Sequence, residues 1–432
     1  MTALVPELPA VSFGGFVQRA HARGELVVQP RMGIADPAAM RAGLLATKHA
    51  DATTVGTITL DSYTRIADHA AARRALDSGA DLNGFPIVAH GPEVTSAMLD
   101  GVRDAGFPVQ VRHGSACPQD IIMALALSGL DATEGGPVSY CLPYGRTPLA
   151  DSVRNWTECC ELLAALRGRG IEPHLETFGG CMMGQLCPPS LLVALSVLEG
   201  MFFAQHGLRS VSLSYAQQTH PGQDADAVAA LRSLAAQHLP TLDRHVVIYT
   251  YMGVFPRTPD GALALLEQSA QLAARSGAAR LIVKTVAEAS RIPTVAENVQ
   301  SLQIASAAAA RVTRAEASAD NQVHAEASAL IDAVLDLDGD LGRALVKAFT
   351  LGYLDVPFCL HPDNAGRSRS YLDDAGRLRW ADVGAMPIAR LVGAAERRVL
   401  TSTDLLTSLS YVERTYDGPA LTGRTTTTAL NR

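Results

Sequence analysis

Several apolar runs in this sequence end in a side chain that is costly to bury. Val27-Val28-Gln29-Pro30 ends in Arg31, Thr57-Ile58-Thr59-Leu60 runs through Asp61 to Arg65, and Val109-Gln110-Val111 ends in Arg112-His113. Asp131-Ala132-Thr133 ends in Glu134, His174-Leu175 in Glu176, and Leu281-Ile282-Val283 in Lys284. If the runs are strands of one barrel, their ends meet at one mouth, which then holds three guanidinium groups, an ammonium and two carboxylates. A guanidinium matches a carboxylate or a phosphate with two parallel hydrogen bonds. One arginine after a strand is commonly half of a surface ion pair. Three at equivalent positions, with no acidic helical partner nearby in sequence, suit a small dicarboxylate such as an acidic amino acid, or a phosphorylated substrate. The pattern does not choose between these.

Lys284 at a strand end fits a Schiff-base lysine and equally a hydrogen-bond donor to a cofactor. Glu288, four residues on, falls on the same side of a loop or a first helical turn. Tyr140 and Tyr144 bracket Cys141-Leu142-Pro143 behind Glu134-Gly135-Gly136, which reads either as a rigid lid or as phenols lining the mouth. His113 and His174 stand at strand ends, where a satisfied core histidine is as good a reading as a functional one. There is no H-E-x-x-H, and none of the D-x-H-x-x-G spacing that ligates cobalt in cobalamin carriers. Cys181 and Cys187 lack neighbouring thiol or imidazole ligands, so no metal site is expected.

The elements that must position these residues show in a recurring pattern: a helical stretch, a glycine, then a short apolar run. Gly24, Gly79, Gly106, Gly129, Gly170, Gly207 and Gly277 occupy that place. Glycine just past a helix supplies the left-handed cap that turns the chain toward the next strand. The runs give nine candidate strands, among them Leu82–Pro86, for what should be an eight-stranded barrel. Alternating helix and strand argues a parallel sheet, and neither G-x-G-x-x-G nor G-x-x-x-x-G-K-[ST] occurs to favour an open nucleotide-binding sheet. The expected fold is a (β/α)8 TIM barrel over residues 23–297. An N-terminal segment (1–22) precedes it, and a C-terminal helical and β-hairpin extension (298–432) follows. In that extension 298–343 reads as one long Ala-rich helix, 344–356 continues helically, and 370–382 reads as a hairpin turned at Asp373-Asp374-Ala375-Gly376.

The chain of 432 residues is 48% hydrophobic with a formal charge of −7, which fits a globular protein and gives no basic footprint for nucleic acid. Its N-terminus has no secretory pattern. Its most apolar stretch, Leu191–Ala204, is interrupted by Glu199 and is too short to span a bilayer. Seven cysteines without C-x-x-C read as reduced thiols, and the expected location is the cytoplasm.

Taken in order, the short motifs resemble the large subunits of glutamate mutases, which are adenosylcobalamin-dependent carbon-skeleton isomerases. The fragments are Gln29-Pro30-Arg31, Asp61-Ser62-Tyr63-Thr64-Arg65, Leu82-Asn83-Gly84-Phe85-Pro86, Arg112-His113-Gly114, Glu134-Gly135-Gly136 and Ser139-Tyr140-Cys141-Leu142-Pro143-Tyr144. They continue with Glu176-Thr177-Phe178-Gly179, Pro188-Pro189-Ser190, Met252-Gly253-Val254-Phe255-Pro256, Val283-Lys284-Thr285-Val286-Ala287-Glu288, Ile292-Pro293-Thr294 and Asn364-Ala365-Gly366. The resemblance implies a barrel capped by a cobalamin on a small partner subunit that supplies the cobalt-ligating histidine, with two large and two small subunits. It implies that Arg31, Arg65 and Arg112 grip the carboxylates of L-glutamate, that Glu134 meets the ammonium, and that Tyr140, Tyr144, Phe178 and Thr59 line the pocket. Asn83, Pro143, Lys284 and Glu288 fall to the cofactor, with Glu134, Lys284 and Glu288 as the catalytic set. The implied reaction is the radical interconversion of L-glutamate and (2S,3S)-3-methylaspartate. Tyr215–His220 and Tyr249-Thr250-Tyr251 depart from the family pattern, on the side of cofactor and subunit contacts. From the residues alone, a Schiff-base lyase or aldolase using Lys284, and a non-catalytic barrel scaffold, stand as alternatives.

Overall fold

In the computed structural model, residues 12–143, 145–182, 186–315, 318–392 and 401–418 are described. Eight parallel strands run β1 (Val27–Gln29), β2 (Gly56–Thr59), β3 (Val109–Arg112), β4 (Ala132–Gly135), β5 (His174–Thr177), β6 (Ser210–Ala216), β7 (Asp243–Tyr249) and β8 (Arg280–Ile282). From β2 to β8 each strand pairs with its sequence neighbour, β1 pairs with β8, and an isolated parallel bridge between Val28 and Thr54 joins β1 to the segment leading into β2. The sheet is thereby a TIM barrel with helices outside. The ninth run, Leu82–Pro86, adds only the isolated bridge Leu60–Phe85 beside the end of β2.

The strands are nearly solid with buried residues, because a parallel sheet wrapped in helices has both faces covered. Glycines 24, 129, 170, 207 and 277 adopt positive φ just before strands, as the cap reading requires. The N-terminal helix Phe13–Ala22 lies across the barrel floor. There Phe13 stacks on His174 with ring centres 5.0 Å apart, and Phe16, Val17 and Ala20 join Val27, Val55 and Ala132 in a separate apolar cluster. Gly14 is needed at this crossing, since a Cβ would run into the Ser210 hydroxyl and the Asp243 carboxylate.

Helix Val295–Ala310, which spans the 297/298 boundary read from sequence, packs on the helix before β8 and on helix Pro37–Lys48. The long helix expected over 298–343 is instead broken. Helices Gln322–Leu335 and Leu341–Leu351 restart with side-chain caps from Asn321 and Asp340. The expected hairpin forms as β9 (Arg369–Leu372) and β10 (Leu378–Asp382). Gln223 holds it to the barrel by paired 2.9 Å hydrogen bonds with the Leu378 backbone. Among the described residues no helix is long and apolar enough to cross a membrane.

Candidate active site

The barrel interior is layered. In the middle layer Gln29 donates to Thr57 (2.9 Å) and Gln110 (2.8 Å), while Arg280 donates to Gln29, Glu176 and Ser212. Ser212 also lies 3.0 Å from Glu176. Glu176, expected at the mouth, points into this layer. Burial opposes its charge, but Arg280 and Arg112 hold its carboxyl below the usual range.

The mouth layer is built on Glu134. Register places Glu134 beside Glu176 and Arg112 beside Thr59. Arg112 Nε donates to Glu134 Oε2 at 2.8 Å, and its guanidinium sits 5.0 Å above the Tyr249 ring. The Tyr249 hydroxyl reaches the same carboxylate oxygen at 2.8 Å, and the Tyr140 hydroxyl bonds the other. Phe178 lies 5.1 Å from the Tyr140 ring and 5.5 Å from that of Tyr249, closing the apolar side.

Three buried polar atoms here have no hydrogen-bond partner: Arg112 Nη1, Thr59 Oγ1 and His113 Nε2. Burial, helped by the charge of Arg65, pushes His113 down to about 3, so the imidazole is neutral. Its Nδ1 accepts from the Ser115 amide at 3.2 Å, which puts the ring proton on the unpartnered Nε2. Unmet donors in a buried site carry a free-energy cost that a ligand carboxylate removes.

Across the mouth, Glu288 Oε1 takes both Lys284 Nζ (2.7 Å) and Arg31 (2.9 Å). Lys284 is 5% exposed and lies 5.1 Å over the Phe255 ring. Burial pushes it down to about 8 with help from Arg31 and Arg112, and Glu288 resists that fall. Glu288 in turn is held low, Lys284 and Arg31 outweighing its burial. Arg65 Nε donates to the Leu60 carbonyl at 2.9 Å, on the one-turn helix Ser62–Arg65. Asn83 secures that helix from the rim, donating to Ser62 Oγ (2.6 Å) and accepting from its amide (3.0 Å).

Arg112, Glu134, Tyr140, Phe178 and Thr59 thus stand together at the strand ends, and Arg31, Lys284 and Glu288 form a second cluster close enough for Arg112 to act on Lys284. Asn83 is exposed on the rim. Pro143 lines a groove of about 440 Å³ with residues 358–361. Tyr144 lies outside the described residues. No group of three or more metal-ligating side chains occurs among the described residues.

Two contributors were missed in the sequence. Tyr249 falls in a segment singled out only as a departure, yet it touches both Glu134 and Glu176. Glu199 interrupts an apolar helix, Pro189–Gln205. Its buried carboxylate accepts from the amides of Val138 (3.3 Å), Ser139 (2.9 Å), Phe178 (3.2 Å) and Gly179 (2.8 Å), and from the Ser139 hydroxyl (2.9 Å). It therefore clasps the two loops that present Tyr140 and Phe178. A charged residue amid Leu191–Ala204 was the signal.

Residues 8–404 match the family described as "Methylaspartate mutase E chain (MutE)". A glutamate mutase epsilon subunit of Escherichia coli O157:H7 is 30% identical over 393 residues, covering 86% of this chain and 80% of that protein. One from Halobacterium salinarum is 33% identical over 345 residues, covering 76% and 71%. One from Yersinia enterocolitica is 30% identical over 405 residues, covering 89% and 82%. With a family match over most of its length and this barrel mouth, the chain belongs to the methylaspartate mutase E chain family, as a mutase subunit.

Proposed function

We propose that this chain is the substrate-binding barrel of an adenosylcobalamin-dependent mutase interconverting L-glutamate and (2S,3S)-3-methylaspartate. The observation that carries the reading is the buried Arg112–Glu134 pair with unmatched donors around it, facing the Arg31–Glu288–Lys284 cluster. A dicarboxylate with an ammonium group complements that set: guanidinium, imidazole N–H and hydroxyl for its carboxylates, and Glu134 for its nitrogen. The substrate named for the relatives supports the choice.

The cofactor would be held from this side by Lys284, Glu288 and Asn83. Glu288 offers carboxylate oxygens to ribose hydroxyls, and Lys284 is a buried donor beside it, so the residues present fit a nucleoside group. When bound, adenosylcobalamin supplies a carbon radical able to take hydrogen from an unactivated C–H. The barrel's own work is positional. Arg112, with Arg65 and Arg31 around the mouth, fixes both carboxylates so that separated fragments stay in register. Glu134 holds the ammonium and shares its proton. Phe178, Tyr140 and Tyr249 exclude water and competing hydrogen donors.

Tyr63, Ile66, Val254 and Ile292 are large apolar residues left exposed in the loops after β2, β7 and β8, Ile66 at 72% and Ile292 at 66%. An apolar rim of this kind suits a protein cap, here a small cobalamin-binding subunit bearing the cobalt-ligating histidine, in a two-plus-two assembly. The test mixes the purified chain with that subunit and adenosylcobalamin, then follows L-glutamate. Conversion to 3-methylaspartate is the expected result. No conversion, together with borohydride trapping of a keto substrate on Lys284, would overturn the proposal in favour of a Schiff-base lyase.

A further inference from the structure

A chain of hydrogen-bonding side chains runs from Glu134 down the inside of the barrel to its floor. The Tyr249 hydroxyl contacts Glu134 Oε2 at 2.8 Å and Glu176 Oε1. Ser212 Oγ lies 3.0 Å from Glu176 Oε2, and His174 Nε2 lies 3.0 Å from Ser212 Oγ. His174 Nδ1 is 2.9 Å from Ser210 Oγ, which is 2.8 Å from Asp243 Oδ2. Tyr249, Glu176, Ser212, His174 and Ser210 are each at most 1% exposed, whereas Asp243 is half-buried at the floor, with Oδ2 on Ser210 and Oδ1 buried without a protein partner.

We propose that this chain is a proton relay, through which the charge of Glu134 equilibrates with solvent at the barrel floor while the mouth is covered. Counting hydrogens leads there. Tyr249 makes two oxygen contacts with one phenolic hydrogen, so a second hydrogen must reside on Glu134 or Glu176, and the two carboxyls share one proton across the phenol. Ser212, Ser210 and a neutral His174 also carry one exchangeable hydrogen apiece between two neighbours. Each therefore donates on one side and accepts on the other, and their hydrogen bonds can all point toward Glu176 or all toward Asp243. The two arrangements differ by a single proton moved between those carboxyls. Each hop breaks one O–H or N–H bond and makes another, so no charge is created.

The groups facing the relay set its resting state. Glu134 faces Arg112 and Tyr140, while Glu176 faces Arg280, Arg112 and Gln110. His174 is neutral because burial and Arg280 push it down to about 3, and His245 and Phe13 stack against it. Asp243 is raised by burial against its Ser210 bond, and Glu172 lies near enough to feel its charge. Burial opposes the charge of Glu176, and Arg280 and Arg112 favour its ionised form.

The mouth cover belongs to the function proposed above, and the experiment separates the two. In the reconstituted complex with L-glutamate bound, the pH is jumped and single-turnover rates are read. The wild type should take the rate of the new pH in its first turnover. Ser210→Ala and Ser212→Ala, each lacking one hydroxyl away from the substrate site, should keep the rate of the old pH, with steady-state turnover at fixed pH within about twofold of wild type. Adjustment as fast as wild type in both variants overturns the relay. The chain alone gives a second readout needing no cofactor or partner: beside the absorption of buried Glu199 and Asp224, which burial pushes up to about 7, one protonated-carboxyl infrared band is present in wild type and lost, in difference spectra, from both Glu134→Gln and Glu176→Gln. If that band is absent from wild type or survives in both variants, the shared proton is refuted whether or not the complex turns over.

Discussion

Two neighbouring layers of the barrel interior contain the same kinds of polar side chain and treat them differently. In the middle layer Gln29, Thr57, Gln110, Glu176, Ser212 and Arg280 satisfy one another, whereas one layer up Arg112, Thr59 and His113 each keep an unpartnered atom. Both layers are buried, so solvent does not explain the difference. The middle layer is complete as folded; the upper layer is completed by something that arrives. Unmet hydrogen bonds, rather than charge as such, distinguish a binding layer from a structural one.

Replacing a member of each layer should separate stability from activity, and the largest effect is expected in the middle. Arg280→Met leaves Glu176 buried without the cation that bonds it, so the loss of folding free energy should be about 3–5 kcal/mol, read from denaturant midpoints. A loss under about 1 kcal/mol would mean that the layer does not depend on its ion pair. In the upper layer Arg112→Lys keeps the charge and loses the fork that reaches Glu134 and a ligand together. Turnover of L-glutamate should fall roughly 10- to 100-fold, the equivalent of one charged hydrogen bond, with a smaller stability change than Arg280→Met.

The comparison also shows what could be read beforehand. Strand-end residues such as Arg112, Glu134 and Lys284 are legible because a strand fixes where its last side chain goes and burying a charge is costly. The partners Tyr249 and Gln110 are not, because nothing local marks a residue whose role is to meet another strand more than twenty positions away; Glu199 is marked by its charge in an apolar helix, but the loops it clasps are not. Glu176 illustrates the limit: it ends an apolar run as Glu134 does, yet Arg280 draws it into the middle layer. The same holds for the fold. Glycine caps foretell the strands, but Leu82–Pro86 looks like one and forms only a single bridge. Ala-rich composition over 298–343 hides two breaks that the caps Asn321 and Asp340 impose.

The second cluster at the mouth is separable by pH. Lys284 has a folded value near 8, below its ordinary 10.5, so between those two values the unfolded chain binds more protons. Its burden on the fold is therefore fully present below about pH 8 and is relieved as pH rises toward 10.5. Lys284→Met should flatten that part of the stability profile, checked by thermal melts across pH 7–10, and an unchanged profile would show that Lys284 is not buried as a cation. In the reconstituted enzyme kcat/KM should fall above about pH 8, as Lys284 loses the charge that holds Glu288.

The smallest effect tests the idea of open bonds most directly. The Thr59 hydroxyl is buried with no partner, in a strand where a β-branched residue is favoured. Thr59→Val keeps the shape and removes a polar group that contributes only its desolvation cost in the ligand-free chain. The variant should match or exceed wild-type stability, by up to about 1 kcal/mol, while its affinity for L-glutamate, measured calorimetrically on the chain alone, falls several-fold. The opposite signs matter more than their sizes. A structural hydroxyl would lose stability on replacement and leave binding untouched, so that pattern would place Thr59 with the middle layer and shrink the binding layer to Arg112 and His113.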